Sequence, residues 1–350
     1  VNVAPVIRRL GALLGALAVA AAALSAEAAP LAATAQAPHP WKSGGLWGYV
    51  DAGGNWAIAP RFSMAKEFQD DGLAEVAVVL DGRAPGSLLG EKRGIIDRKG
   101  NWIVSPSWDD LKHPCDGVAL VKSGGSWFLV DSKGSRISAS SFKDACPFSE
   151  GLALVWTGGL FGYIDTRGAW AIKPSLDGGG NFSGGLAPVK KAGRWGYADR
   201  KGKLVIAARF DKAGAFSSAL ARVKLDGKWG LVRSDGSMAA QAEYDEIDQA
   251  SEGLWPFRSG KLWGFLDASG AVTIAPTFEK PGDFKSGLAR EKDRSSGLWG
   301  YIDAKGDWAI MPAYSSAEDF SGSLARVKKA GSGAILIDRA GKEVAIFERR

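Results

Sequence analysis

Few residues in this chain could carry catalysis. It holds two histidines, His39 and His113, and two cysteines, Cys115 and Cys146. His113 and Cys115 flank Pro114. A nucleophilic thiol needs a base against it and a third group that orients the base. The sequence identifies no such third group, so the pair does not predict an enzyme. No Gly-rich loop follows a strand and opens a helix, as a phosphate cradle requires, and no Cys/His cluster has zinc spacing. The expectation is no catalytic residue, no metal site and no cofactor.

Binding chemistry has more to draw on. The chain contains 14 tryptophans, whose faces can stack on sugar rings or hold organic cations. Trp41, Trp108, Trp156 and Trp255 stand apart from the regular spacing of the other ten. Trp255 takes a place usually held by Ala. Trp156 takes a place where other segments carry Lys122, Lys190, Lys224 and Lys328, and a place that tolerates Lys is solvated. Trp108, Trp156 and Trp255 are therefore candidate ligand-binding rings. Lys99, Lys133, Arg167, Lys201 and Lys305 each precede a turn glycine. On regularly stacked segments they form either a basic ridge for acidic polymers or a row of solvated turn residues.

The elements that would position these side chains come from one repeated phrase. Asp-x-x-Gly recurs with its glycine at 54, 100, 134, 168, 202, 270, 306 and 341, and Arg233 replaces the Asp before Gly236. The steps are 46, 34, 34, 34, 34, 34, 36 and 35 residues. A period this constant is the signature of stacked repeats. Each unit reads as three strands: A (Gly-Leu-Ala-x-Val), B (Trp-Gly-aromatic-apolar-Asp) and C (Trp/Val-x-Ile-x-Pro). In the turn, the Asp carboxylate accepts backbone N–H bonds and the glycine takes angles other residues resist. Along strand B, Trp and Tyr share one face while Gly48, Gly94, Gly162, Gly196, Gly230, Gly264 and Gly300 leave the other without bulk, so a strand or ring approaches there. Pro188 and Pro256 place strand A at a sheet edge. The segment after strand C is a loop or one helical turn. The fold expected is all-β, made of tandem three-stranded antiparallel repeats. A 34-residue unit is short for a four-stranded blade, which favours an open twisted array over a closed propeller.

The recurring Lys/Leu-Trp-Gly-Tyr-Ile-Asp, followed by x-x-Gly-x-x-x-Ile-x-Pro, resembles the bacterial WG-repeat (KWG) family. Copies include Leu46–Asp51, Arg194–Asp199, Lys228–Val232, Leu262–Asp267 and Leu298–Asp303. The resemblance spans Trp41 to the C-terminus as eight units and a final half-unit. Arg93-Gly94, Trp127-Phe128 and Phe161-Gly162 each lose half of the Trp-Gly pair, which marks the pair as packing rather than catalysis. The resemblance implies an all-β repeat fold and a binding role. It carries no catalytic residues to transfer.

Residues 1–28 show the basic, apolar, small-residue order of an export signal: Arg8 and Arg9, then Leu10–Leu24, then Ala26-Glu27-Ala28. Residues 29–40 form an Ala/Pro-rich linker and 41–350 the array. The reading is an exported protein, periplasmic or extracellular, with no transmembrane segment in the mature chain. In that compartment an even cysteine count predicts a Cys115–Cys146 disulfide; free thiols are the alternative, since neighbouring repeats need not align the two. The net charge of +6 is mildly basic, and no nucleic-acid recognition motif is present. The 46-residue first step places an insertion within Leu80–Arg93, and long loops on a rigid scaffold often bind. The function expected is an exported repeat scaffold binding a protein or an envelope polymer. The alternative is a carbohydrate- or cell-wall-binding module using exposed Trp rings.

Overall fold

The computed structural model describes residues 37–80, 90–138, 140–217, 219–280, 282–331 and 333–344. The export signal, most of the linker and the centre of the Leu80–Arg93 insertion lie outside them. The described residues form nine antiparallel sheets in tandem, of three or four strands each, and no sheet closes into a barrel. No helix is long and apolar enough to cross a membrane. We number the units one to nine by sheet.

Unit five shows how the sequence makes the sheet. Its strands are Gly178–Gly179, then Leu186–Lys191 (A), Arg194–Asp199 (B) and Leu204–Phe210 (C), hydrogen-bonded in chain order. Ala192-Gly193 joins A to B with both φ angles positive (50° and 78°), the hairpin geometry whose twist suits the flanking strands. Between B and C, Asp199 Oδ1 accepts the N–H groups of Lys201 and Lys203, both at 2.9 Å. Gly202 completes that turn at φ +82°.

The fourth strand corrects two expectations. The segment after strand C is neither a loop nor a helical turn: two of its residues pair with the next strand A, as Gly178 with Lys190 and Gly179 with Val189. Strand A is therefore not the sheet edge. Pro188 is tolerated because its carbonyl accepts Gly180 N–H just past the end of the two-residue strand, where no ladder bond is required of its nitrogen.

The bulkless face of strand B is filled by strand C. A methyl group added to Gly196 would lie 2.5 Å from Ile206 O, and the six other Trp-Gly-type glycines meet strand-C backbone at 2.4–2.7 Å. The register slips on both sides of Tyr197, so strand C bulges across the glycine. Opposite the glycine, strand A carries Val76, Val155, Val189 and Val223.

Successive units seal one another. The turn glycine of each unit sits over a residue of the unit before, as Gly202 over Ile172 and Gly306 over Ile274. Trp102, Trp170 and Trp308 meet Phe62, Phe142 and Phe278 of the preceding unit edge-on, at 5.9–6.4 Å. The hydroxyls of Tyr49, Tyr163, Tyr197 and Tyr301 donate to the carbonyls of Lys66, Gly180, Gly214 and Glu318 in the following unit, each at 2.7 Å. Burial pushes all four phenols well above their ordinary range. Tyr197→Phe would strand the Gly214 carbonyl, and is expected to lower unfolding stability by about 1 kcal/mol, read as a shift in urea midpoint. An unchanged midpoint would mean that water replaces the hydroxyl.

The array is open. Among the described residues no hydrophobic cluster combines the first sheet with the last. Gly54 has nothing within 4 Å of its Cβ position, and Trp41 and Trp56 are 61% and 42% exposed. With Val50 and Gly54 these two rings line a shallow pocket of about 380 Å³ where a preceding unit would sit.

Candidate functional site

Two edges run along the array, one holding the B–C turns and the other the A–B hairpins. The five turn cations Lys99, Lys133, Arg167, Lys201 and Lys305 all lie exposed at equivalent places on the first edge. Each backbone N–H bonds its own turn aspartate. They do not make one continuous ridge. Asp235 and Ser269 hold the place in units six and seven, the Arg167 guanidinium folds back onto Asp165 at 2.8 Å, and the acids Asp71, Asp116 and Glu150 occur in the loops that precede strand A along the same edge.

The hairpin edge carries a device that was missed in the sequence. Asp109, Asp211 and Asp245 each accept the hairpin glycine N–H of their own sheet, from Gly124, Gly227 and Gly260. Each also pairs with a cation on the preceding hairpin, Lys92, Arg194 and Lys228 respectively. Cation and acid are always 17 residues apart, so the signal was present as a fixed offset across the unit boundary. The Lys228 ammonium, and next the Gly260 N–H, hold the Asp245 carboxyl below its usual range. A second cation works within the hairpin. Lys42, Lys122, Lys224 and Arg258 stand opposite the leading Trp of strand B and lie 5.8–5.9 Å from its ring.

Unit four breaks both rules. Trp156 takes the cation's place opposite Phe161 and stacks on it, with centroids 6.3 Å apart. Leu160 stands 17 residues before Asp177. Trp156 is 36% and Leu160 38% exposed. Asp177 keeps the Gly193 N–H at 3.1 Å, but among the described residues it makes no ion pair.

The other two candidate rings are corrected by their burial. Trp255 is 1% exposed. It packs with Phe257 against Leu231 and Ala240 of unit six, where Ala240 stands in place of the isoleucine of other units, so the indole fills volume that its neighbour lacks. Trp108 occupies the strand-C place of Phe62 and Phe210 and packs half-buried beside Val104 and Leu111. Its Nε1 is buried without a partner.

The expected disulfide is not formed: Cys115 and Cys146 are free thiols. Cys115 stands where units four and five have Ser149 and Ser183, whose hydroxyls donate to Phe182 O and Phe216 O of the following unit. It therefore faces unit four around Gly151, while Cys146 lies three places before Ser149 in its own loop, beside Asp144. Burial raises both thiols above their ordinary range. His113 turns to the other neighbour and meets Asp71 of unit two at 2.6 Å. Imidazole and thiol thus face opposite sides of unit three.

One residue is buried against its chemistry. Glu291 of unit eight is 0% exposed, at the strand-A place opposite Gly300 where other units have Val. Its Oε1 accepts the Gly282 N–H at 2.9 Å and its Oε2 has no partner. Burial raises its pKa to about 8.

The chain has structural and family relatives. A crystal structure of a eukaryotic initiation factor superposes with a TM-score of 0.53 at 12% identity, over 87% of this chain and 94% of that one. It shares the fold. The designed protein Ika8 (TM-score 0.35, 11% identity, 67% and 85% covered) and Hsv2p of Kluyveromyces lactis (0.36, 10%, 69% and 93%) are more distant. No curated protein matches the sequence. The model of the WG containing repeat matches residues 47–78, 94–127, 161–195, 195–229, 229–263, 263–290 and 299–331. These segments run from strand B of one unit into strand B of the next, and they hold the glycine, the bulge and the inter-unit packing described above; the chain belongs to the WG-repeat family.

Proposed function

We propose that this protein is an exported scaffold that binds a partner along its edges, and that the partner is a protein rather than an anionic polymer. One observation carries the reading: the interior repeats while the edges vary. The third place of the B–C turn is Lys99, Lys133, Arg167, Lys201, Asp235, Ser269 and Lys305 in successive units, although the backbone there is the same. The place opposite the leading ring of strand B is Lys, Arg or, in unit four, Trp156. Mixed signs and a single exposed aromatic pair suit a folded partner better than a uniformly charged chain. Residues 1–28 support export.

The second reading, sugar binding, retains one ring of the three: Trp156, exposed and stacked on Phe161. Immobilised full-length protein challenged with envelope protein and envelope polysaccharide fractions separates the two. Saturable retention of a protein, competed by soluble chain, is expected. Retention of polysaccharide alone would move the conclusion to sugar binding, and retention of neither would overturn the scaffold reading.

A further inference from the structure

We propose that the unit-four hairpin is the docking point for a Lys or Arg side chain of a protein partner. The proposal rests on the scaffold reading and names the chemistry of the contact. At three junctions the chain supplies its own cation: Lys92 to Asp109, Arg194 to Asp211 and Lys228 to Asp245. At the junction of units four and five the backbone half of the arrangement is intact, with Gly193 N–H on Asp177, but Leu160 stands where the cation belongs. Asp177 is exposed. The cation that elsewhere covers the leading ring is likewise replaced, by Trp156, which presents an indole face in its stead. Asp144 pairs in register with Trp156 and is also exposed. One hairpin has thus lost both internal cations and kept the groups that receive them.

An indole face beside a carboxylate favours a guanidinium or ammonium group. The ring attracts the cation through its quadrupole, the carboxylate through its charge, and a planar guanidinium can satisfy both. A sugar would use the ring but has no need of a carboxylate that lacks a counter-ion. Leu160 and Phe161 give the aliphatic stem of a long cationic side chain an apolar bed.

The test titrates full-length protein with a tetra-arginine peptide by calorimetry, beside neutral chitotetraose. Trp156→Ala and Asp177→Asn are each expected to weaken peptide binding about five- to tenfold. Leu160→Arg should do the same, by restoring the chain's own cation 17 residues before Asp177. Chitotetraose should not bind. All three positions are exposed, and a melting temperature matching the parent confirms the fold; if Trp156→Ala fails that check, Asp177→Asn and Leu160→Arg decide. Absence of peptide binding, equal binding by parent and variants, or chitotetraose binding lost only in Trp156→Ala would each overturn the proposal. Undiminished retention of an envelope protein by all three variants would sink this site while leaving the scaffold reading standing.

Discussion

Gly264→Ala is expected to be among the most damaging single substitutions in the protein, although it adds only one methyl group. The new Cβ would lie 2.4 Å from Ile274 O and 2.8 Å from Ala275 C and Pro276 N. All three are backbone atoms of the strand that bulges over this glycine, so no side chain can rotate away. Relief requires strand C to lift from strand B, and Ile274 on that strand also packs under Gly306 of unit eight. Overpacking a core costs about 1–3 kcal/mol where side chains can adjust; with backbone as the obstacle the loss should reach about 3 kcal/mol or more. Neighbouring units share the interface, so the damage spreads along the array. Gly227→Ala is the control. Its φ of +83° strains a side chain, but nothing lies within 4 Å, so the cost should stay near 1–2 kcal/mol. Urea midpoints of the two variants measure the difference. Equal midpoints would show that strain of the backbone angle, and not strand-C contact, explains the glycine.

These glycines show why much of the fold was legible in the sequence. A residue type fixed at one place in seven units, on one face of a strand, signals a close approach whatever the neighbour is. The turn aspartates were readable for the same reason, since a local bond needs only local residues. The two-residue strands were hidden because Gly178-Gly179 and Lys212-Ala213 have no strand character of their own, and take their conformation from the next strand A. The rings were harder still. Trp255 and Trp156 both break the repeat, yet one is buried and one exposed. Burial was decided by Ala240 in the preceding unit for Trp255, and by the lack of any covering group for Trp156. The cysteine pair failed as a prediction because sequence separation does not say which neighbour a loop residue faces. The cation–acid pairs across unit boundaries were visible in principle, as an offset of 17 residues, but only once the register was known.

Glu291 should make the protein lose stability as the pH rises from about 5 to 8, and neutral replacements should abolish that loss. Its folded-state pKa is raised, to about 8 from 4.5, so the sign runs opposite to that of a salt-bridged acid. Below the unfolded pKa the carboxyl is neutral in both states and costs nothing by ionisation. Above it the unfolded chain releases the proton while the folded chain keeps it, and stability falls until the folded pKa is passed. At about 1.4 kcal/mol per unit, the accumulated loss at pH 8 is a few kcal/mol. The neighbouring cation cannot offset it, because Arg290 faces Asp319 at 2.7 Å. Glu291→Gln keeps an acceptor for the Gly282 N–H and removes the charge, so it should match the parent near pH 5 and exceed it at pH 8. Glu291→Val restores the residue that Val76, Val155, Val189 and Val223 supply elsewhere; it gives up the Gly282 bond, worth about 1 kcal/mol, and should still gain at high pH. Thermal unfolding of the three proteins at pH 5, 6.5 and 8 measures this, with the rest of the chain's titration cancelling in the differences. A gap between parent and Gln variant that stays constant across that range would mean the carboxylate ionises in place, and that water or a shift of unit eight reaches Oε2.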